Sequence, residues 1–243
     1  MIKNLILSLL VLVSFPTLGK AAIAVAQVAT CNSSAGTAVC TFGSSTSTGS
    51  AFFIQILAYV PYTGITVTDS NLNSYSVVNA RDEHSANNAQ NVWSYVVANG
   101  TGGVAHAITV AITSSDDPAN VTGVAYEITG AATSSITDQA VSAEGNGSAP
   151  SSGNISATVS GITLGCGWVT GGNSTYGQPS GYTESYNAGA SFVDMVCGYK
   201  IQGAGTYAYD PTSSLSGDWL AMIAHLKEAG AVSALRRTSI TVG

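Results

Sequence analysis

The stretch Thr66-Val67-Thr68-Asp69-Ser70-Asn71-Leu72-Asn73-Ser74-Tyr75-Ser76-Val77-Val78 (TVTDSNLNSYSVV, residues 66–78) decides how the chain is read. Asp69, Asn71 and Asn73 alternate as D-x-N-x-N. In a calcium loop these positions supply oxygen ligands 1, 3 and 5. Such a loop also needs Gly at position 6 and a bidentate Glu at position 12, and the chain has Ser74 and Ala80 there. The alternative needs only short polar side chains that bond their own backbone between two extended runs. On each side of the turn Ile65 and Val67, then Val77, stand among Thr and Ser. The stretch is therefore expected to be a β-hairpin, and no metal or other cofactor is expected.

Working outward, the same grammar continues. Short runs rich in Val, Ile, Thr, Tyr and Phe are separated by Asn99-Gly100, Gly102-Gly103, Asp117-Pro118 and Gly171-Gly172-Asn173. Strands are expected at 22–30, 37–42, 51–60, 64–69, 74–79, 91–98, 105–113, 121–129, 155–164, 165–170, 190–201, 204–209 and 218–227. The run Val92 to Val97 has bulky groups on both faces, as in a strand buried between layers. Residues 130–154, with little bulk, read as a long loop. Residues 218–227 fit either a buried strand or an amphipathic helix. The expected class is all-β, a two-layer antiparallel β-sandwich of the jelly-roll type.

At the N-terminus, Lys3 precedes an uncharged apolar run from Leu5 to Phe15, and small residues flank Lys20. This is the pattern of a secretory signal peptide over 1–21, too short to span a bilayer. A single sandwich domain is expected over 22–229 and a loosely attached tail over 230–243. Of the chain, 45% is hydrophobic and only 8% is charged. Without Lys3 and Lys20, 5 basic residues face 13 acidic ones. That balance repels phosphate backbones and argues against a nucleic-acid partner. No later stretch is long and apolar enough to cross a membrane as a helix.

Four cysteines in an exported chain point to disulfides. Of three possible pairings the local one is expected, Cys31–Cys40 and Cys166–Cys197. In the chain-entropy model these contribute roughly 2–3 and roughly 3.5–4 kcal/mol.

Six segments carry a resemblance: TSTGSAFFIQILAYV (46–60), VTDSNLNSYSV (67–77), NVWSYVVANGTGG (91–103), AITVAI (107–112), VAYEITG (124–130) and GDWLAMIAHLK (217–227). The chain resembles a loosely defined group of exported bacterial and phage-borne β-sandwich proteins with a V-T-D-S-x-x-N-x-Y hairpin. The resemblance implies a sandwich in which 218–227 is a strand, and surface binding or particle decoration. Leu72, where the group has a small residue, and the four cysteines depart from it.

Nucleophile motifs such as G-x-S-x-G are absent, and no catalytic residue is assigned. The segment Arg81-Asp82-Glu83-His84 reads as a solvated loop, and Asp116-Asp117 as a turn. His106 and His225 lie within apolar strands and read as structural. Glu127, mid-strand, is either hydrogen-bonded inside the sandwich or lines a concave site. The richest polar-aromatic stretch is 167–189. There Trp168, Tyr176, Tyr182, Glu184 and Tyr186 are the candidate ligand-binding residues, because rings stack on sugar CH groups while amides and carboxylates take the hydroxyls. The expected function is a secreted or cell-surface binding and adhesion protein, with a polysaccharide or surface glycan as its partner. The alternatives are a structural component of a surface, filament or virion that self-associates as a homo-oligomer through a sheet edge, or a glycan-cleaving enzyme using Glu127 or Asp194.

Overall fold

The structure is a computed structural model. It describes residues 21–59, 62–85, 88–114, 120–188 and 194–230, and of 62, 63, 81–85, 88 and 89 only the backbone. The expected signal segment up to Lys20, the tail beyond Gly230, the Asp116-Asp117 turn and the side chains of Arg81 to His84 lie outside the described residues.

In chain order the strands are β1 (Ala24–Ser33), β2 (Thr37–Thr41), β3 (Ala51–Tyr59), β4 (Tyr62–Asp69), β5 (Ser76–Ser85) and β6 (Asn88–Val97). There follow β7 (Ala107–Ser114), β8 (Asn120–Thr129), β9 (Thr137–Gly147), β10 (Ile155–Ala157), β11 (Gly161–Val169) and β12 (Tyr176–Gly177). The last are β13 (Thr183–Ala188), β14 (Met195–Gln202), β15 (Gly205–Tyr207), β16 (Thr212–Ser213) and β17 (Gly217–Lys227). All pairing is antiparallel, and the protein is an all-β sandwich.

One five-stranded sheet has the order β1-β8-β3-β6-β5 and the other β13-β14-β11-β17-β9. Phe53, Leu57, Val92, Val96, Val124, Tyr126 and Ile128 of the first meet Ile162, Leu164, Cys166, Trp168, Leu220 and Met222 of the second in one core. A third sheet, β2-β7-β4, covers the other face of the first. There Phe52, Ile54, Ile56, Trp93 and Tyr95 pack on Ala38, Cys40, Ile108 and Val110. The first sheet is thus covered on both faces, which is why β3, β6 and β8 carry bulky residues at successive positions.

Strand β11, GITLGCGWV, shows how sequence selects a face. Ile162, Leu164, Cys166 and Trp168 point into the core, and the alternate positions include Gly161, Gly165 and Gly167. Without side chains there, Tyr209 lies flush against the outer face. A methyl group at Gly165 would overlap the Tyr209 ring, and one at Gly167 would lie 2.6 Å from Pro211 Cγ. Tyr209, Ile155 and Ile223 form a small cluster on this outer side.

Both disulfides take the expected pairing. Cys31–Cys40 ties an edge of the first sheet to the third, with Gly123 leaving room for its sulfurs. Cys166–Cys197 joins directly opposed residues of β11 and β14. Such bonds persist in oxidising compartments and are compatible with an extracellular protein.

Three local expectations change. Residues 66–78 do not form a hairpin: β4 pairs with β7 and β5 with β6, so the turn carries the chain from one sheet to another. Residues 137–147, expected in a loop, form edge strand β9 beside β17. Its small residues fit because Trp219 covers it; a methyl at Gly145 would strike the Trp219 ring. Residues 81–84, expected in a solvated loop, are backbone of strand β5 beside β6. Segment 218–227, as the resemblance implied, is strand throughout, paired on both sides.

Candidate functional site

Three loops meet at one end of the sandwich: 42–50, 70–75 and 98–106. Two buried acids hold them together. Asp69 caps its own turn, with Oδ1 accepting from the backbone N–H of Asn71 and of Asn73, each at 3.0 Å. Its Oδ2 accepts from Asn73 Nδ2 at 2.7 Å, Tyr75 Oη at 3.1 Å and His106 Nε2 at 2.9 Å. Because a carboxylate only accepts, the network places a ring proton on Nε2, and Nδ1 faces Thr46 Oγ1 at 2.8 Å. Burial opposes ionisation of Asp69, but these hydrogen bonds outweigh it and hold the acid below its ordinary value. The same burial, with the Asp69 charge, pushes the Tyr75 phenol far up.

The D-x-N-x-N spacing is thus used as a turn cap. Asn73 and Asn71 reach on to the Thr101 backbone, locking the loop at 70–75 to the loop at 98–106. Among the described residues no three His, Cys, Asp or Glu side chains gather as a metal site would need.

Glu127 is the second pin. It is buried, and Oε1 accepts from Ser47 N at 2.6 Å and Ser50 Oγ at 3.0 Å while Oε2 accepts from Gln27 Nε2 at 2.7 Å. Gln27 in turn accepts from Ser44 N. Of the two roles open to Glu127, the internal hydrogen-bonded one is what the structure holds. His225 is likewise buried, with Nε2 donating to Val159 O at 3.1 Å and Nδ1 facing Thr163 Oγ1 at 3.0 Å. Burial lowers its pKa.

The stretch 167–189 divides. Trp168 is buried in the core between the two large sheets. Tyr176 is buried beside Val169 and Val196; its hydroxyl accepts from Val169 N and donates to Asp194 O, and desolvation pushes it up to about 12. Neither ring is open to a ligand in this structure. Trp168, expected at a ligand site, instead continues the inward alternation of Ile162, Leu164 and Cys166, the signal that could have placed it inside.

Tyr182, Glu184 and Tyr186 lie along edge strand β13 and its approach. Glu184 is exposed and accepts from Asn187 Nδ2 at 2.8 Å. Tyr182 is half-buried, edge-on to Tyr209 at 5.1 Å, with Lys200 Nζ 5.9 Å above its ring. Its hydroxyl donates to Ala208 O. Tyr186 is half-buried against the main core. The surviving patch is Tyr182, Glu184 and Asn187, with Tyr186 behind it. Asn187 was not among the expected residues.

A groove of about 400 Å³ opens at the loop end between β5, β6 and the lead into β9. Val77, Val96, Val97, Ala98 and Ile136 line it, with hydroxyls from Ser74, Ser76, Ser135 and Thr137. No sequence signal marked it, because its walls come from three segments. Among the described residues no helix is long and apolar enough to cross a membrane.

Comparison with family models, with curated proteins and with solved structures finds no match for this chain. A functional reading therefore has to stand on the geometry.

Proposed function

We propose that the protein is a secreted, non-catalytic binding module that attaches to a glycan-bearing surface outside the cell. The observation that carries this reading is the patch of Tyr182, Glu184 and Asn187 on the open edge of the second sheet, where a ring, a carboxylate and an amide are offered together. Sugars are held by this combination of apolar face and fixed polar groups. Two supports come from elsewhere in the chain. Glu127, Asp69 and His106 are occupied as internal pins that hold loops. The apolar leader and two disulfides fit an exported protein.

The test is retention on insoluble polysaccharides and a glycan array. Wild type is expected to bind, and Tyr182→Ala or Glu184→Ala to weaken binding by about tenfold with unchanged circular dichroism. No retained glycan, or binding indifferent to both substitutions, would remove the reading.

A further inference from the structure

One row of side chains inside the sandwich is polar where its neighbours are not. Gln55 stands on β3 between Phe53 and Leu57, which face the second sheet. Ser94 lies directly opposite Gln55 on β6, between the inward-facing Val92 and Val96. Asn79 lies directly opposite Ser94 on β5. The three therefore run side by side across β3, β6 and β5, about 5 Å apart, on the face that meets the second sheet. Gln55 is fully buried and Ser94 is 1% exposed.

Four polar atoms of this row have no hydrogen-bond partner in the protein: Gln55 Oε1 and Nε2, Ser94 Oγ and Asn79 Nδ2. Nine buried side-chain atoms among the described residues share this condition, so nearly half of them lie in one row. Only the outer end is tied. Asn79 Oδ1 accepts from Ser142 Oγ of β9 at 3.3 Å, a bond that crosses from the first sheet to the second. Leaving buried donors and acceptors unmet is costly, and protein interiors satisfy them. The chemistry of the row selects what meets these four. A cation would take the oxygens and leave two amide N–H groups pointing at it. An anion would take the amides and leave Gln55 Oε1 pointing at it. Turning either amide over exchanges its atoms, yet the row still offers donors and acceptors together. Only a group that both donates and accepts fits. Gln55 and Ser94 are shut off from solvent, which selects the smallest such molecule, water.

We infer that the sandwich holds an internal water site between its two large sheets, formed by Gln55, Ser94 and Asn79. The water accepts from an amide of Gln55 or Asn79, donates to Gln55 Oε1 and exchanges a hydrogen bond with Ser94 Oγ. It extends the Asn79–Ser142 bond inward, so that β3, β6 and β5 are joined to β9 through one polar chain. Exchange with bulk solvent runs by way of the slot between edge strands β5 and β9, where Asn79 and Ser142 are half-buried. The site gives a reason for a glutamine in the otherwise apolar run AFFIQILAYV: its amide anchors the water in the middle of the sheet. Nothing in it depends on what the Tyr182 patch binds.

The experiment has two arms. A high-resolution crystal structure of the purified wild-type protein is expected to show an ordered water within hydrogen-bond distance of Gln55, Ser94 and Asn79. Magnetic relaxation dispersion of the solvent nuclei counts long-lived internal waters, and it is run on wild type and on Gln55→Met. Methionine keeps the length and bulk of glutamine and removes both polar atoms, so the variant is expected to lose at least one long-lived water. Its melting temperature should also fall, because Ser94 Oγ and Asn79 Nδ2 lose their bridge. In a dry row the same substitution would remove two unmet polar atoms and raise the melting temperature. A row without water density, a direct Gln55–Ser94 hydrogen bond in the crystal, or density for anything larger than water would overturn the proposal. So would a Gln55→Met chain with the wild-type count of internal waters or a raised melting temperature.

Discussion

Replacing Asp69 by Ala tests whether the loop end is held by one buried carboxylate. The side chain accepts five hydrogen bonds in wild type. Three donors lie near water and can be rehydrated: the two turn amides and Asn73 Nδ2. His106 Nε2 and Tyr75 Oη cannot, since the ring is fully buried between Phe42 and Phe52 and the phenol packs against the third sheet. Stranding a buried donor costs about 1–3 kcal/mol, so two such donors and the lost turn cap come to roughly 3–6 kcal/mol. For a domain of this size each kcal/mol moves the melting temperature by about 2–4 °C, so a loss of roughly 6–24 °C is expected. Asp69→Asn should lose less. Its oxygen still caps the turn, and the ring can change tautomer to accept from the new amide and donate to Thr46 Oγ1.

Urea denaturation followed by tryptophan fluorescence gives both values. The acid dependence supplies an independent check. Asp69 ionises more readily when folded than an ordinary aspartate, whose value is 3.8, so its contribution is complete above that pH. It is lost as the pH falls through the lower folded value, and Asp69→Asn should lack this part of the acid limb. If Asp69→Ala loses less than about 1 kcal/mol, the network is not what holds the three loops, and the reasoning fails.

Two further outcomes follow from the packing. Gly165→Ala should cost about 1–3 kcal/mol in urea, because its methyl must displace Tyr209, while Gly203→Ala, which has open space around its Cβ, should change little. The lowered pKa of His225 makes the folded state favour the neutral ring: stability is full above about pH 6.5, falls as the pH drops through the window below it, and should be flat there in His225→Gln.

Most of the fold is legible because strands leave a period-2 trace and the turn residues are chemically distinct. AFFIQILAYV (51–60) reads as a buried strand, and over Ala51–Tyr59 it is β3, buried along its length. A two-layer sandwich was expected, and the third layer over the other face of β3 and β6 was not, because which segments supply it depends on pairing between residues far apart in sequence. The misread places share one cause. Asp69 and Asn73 say that a turn is present, not whether its two arms pair with each other. In 137–147 small residues concealed a strand because the bulk that completes its packing belongs to Trp219. For the patch, aromatic content alone could not separate Trp168 and Tyr176, which are buried, from Tyr182; the phase of β11 places Trp168 inside but does not reach Tyr176.

The division of layers along the chain has a consequence for how the molecule is made. Every strand of the first and third sheets lies before Gly130, and every strand of the second lies after it. The first half can therefore assemble a complete pair of layers while the face bearing Phe53, Leu57, Val124, Tyr126 and Ile128 still has no cover, and that cover ends nearly a hundred residues later at Lys227. A newly made chain passes through a stage with a broad greasy plate turned to solvent, the condition that invites clumping. Early truncations should accordingly be insoluble. A chain with this order of parts gains from being held open until its last strand is available.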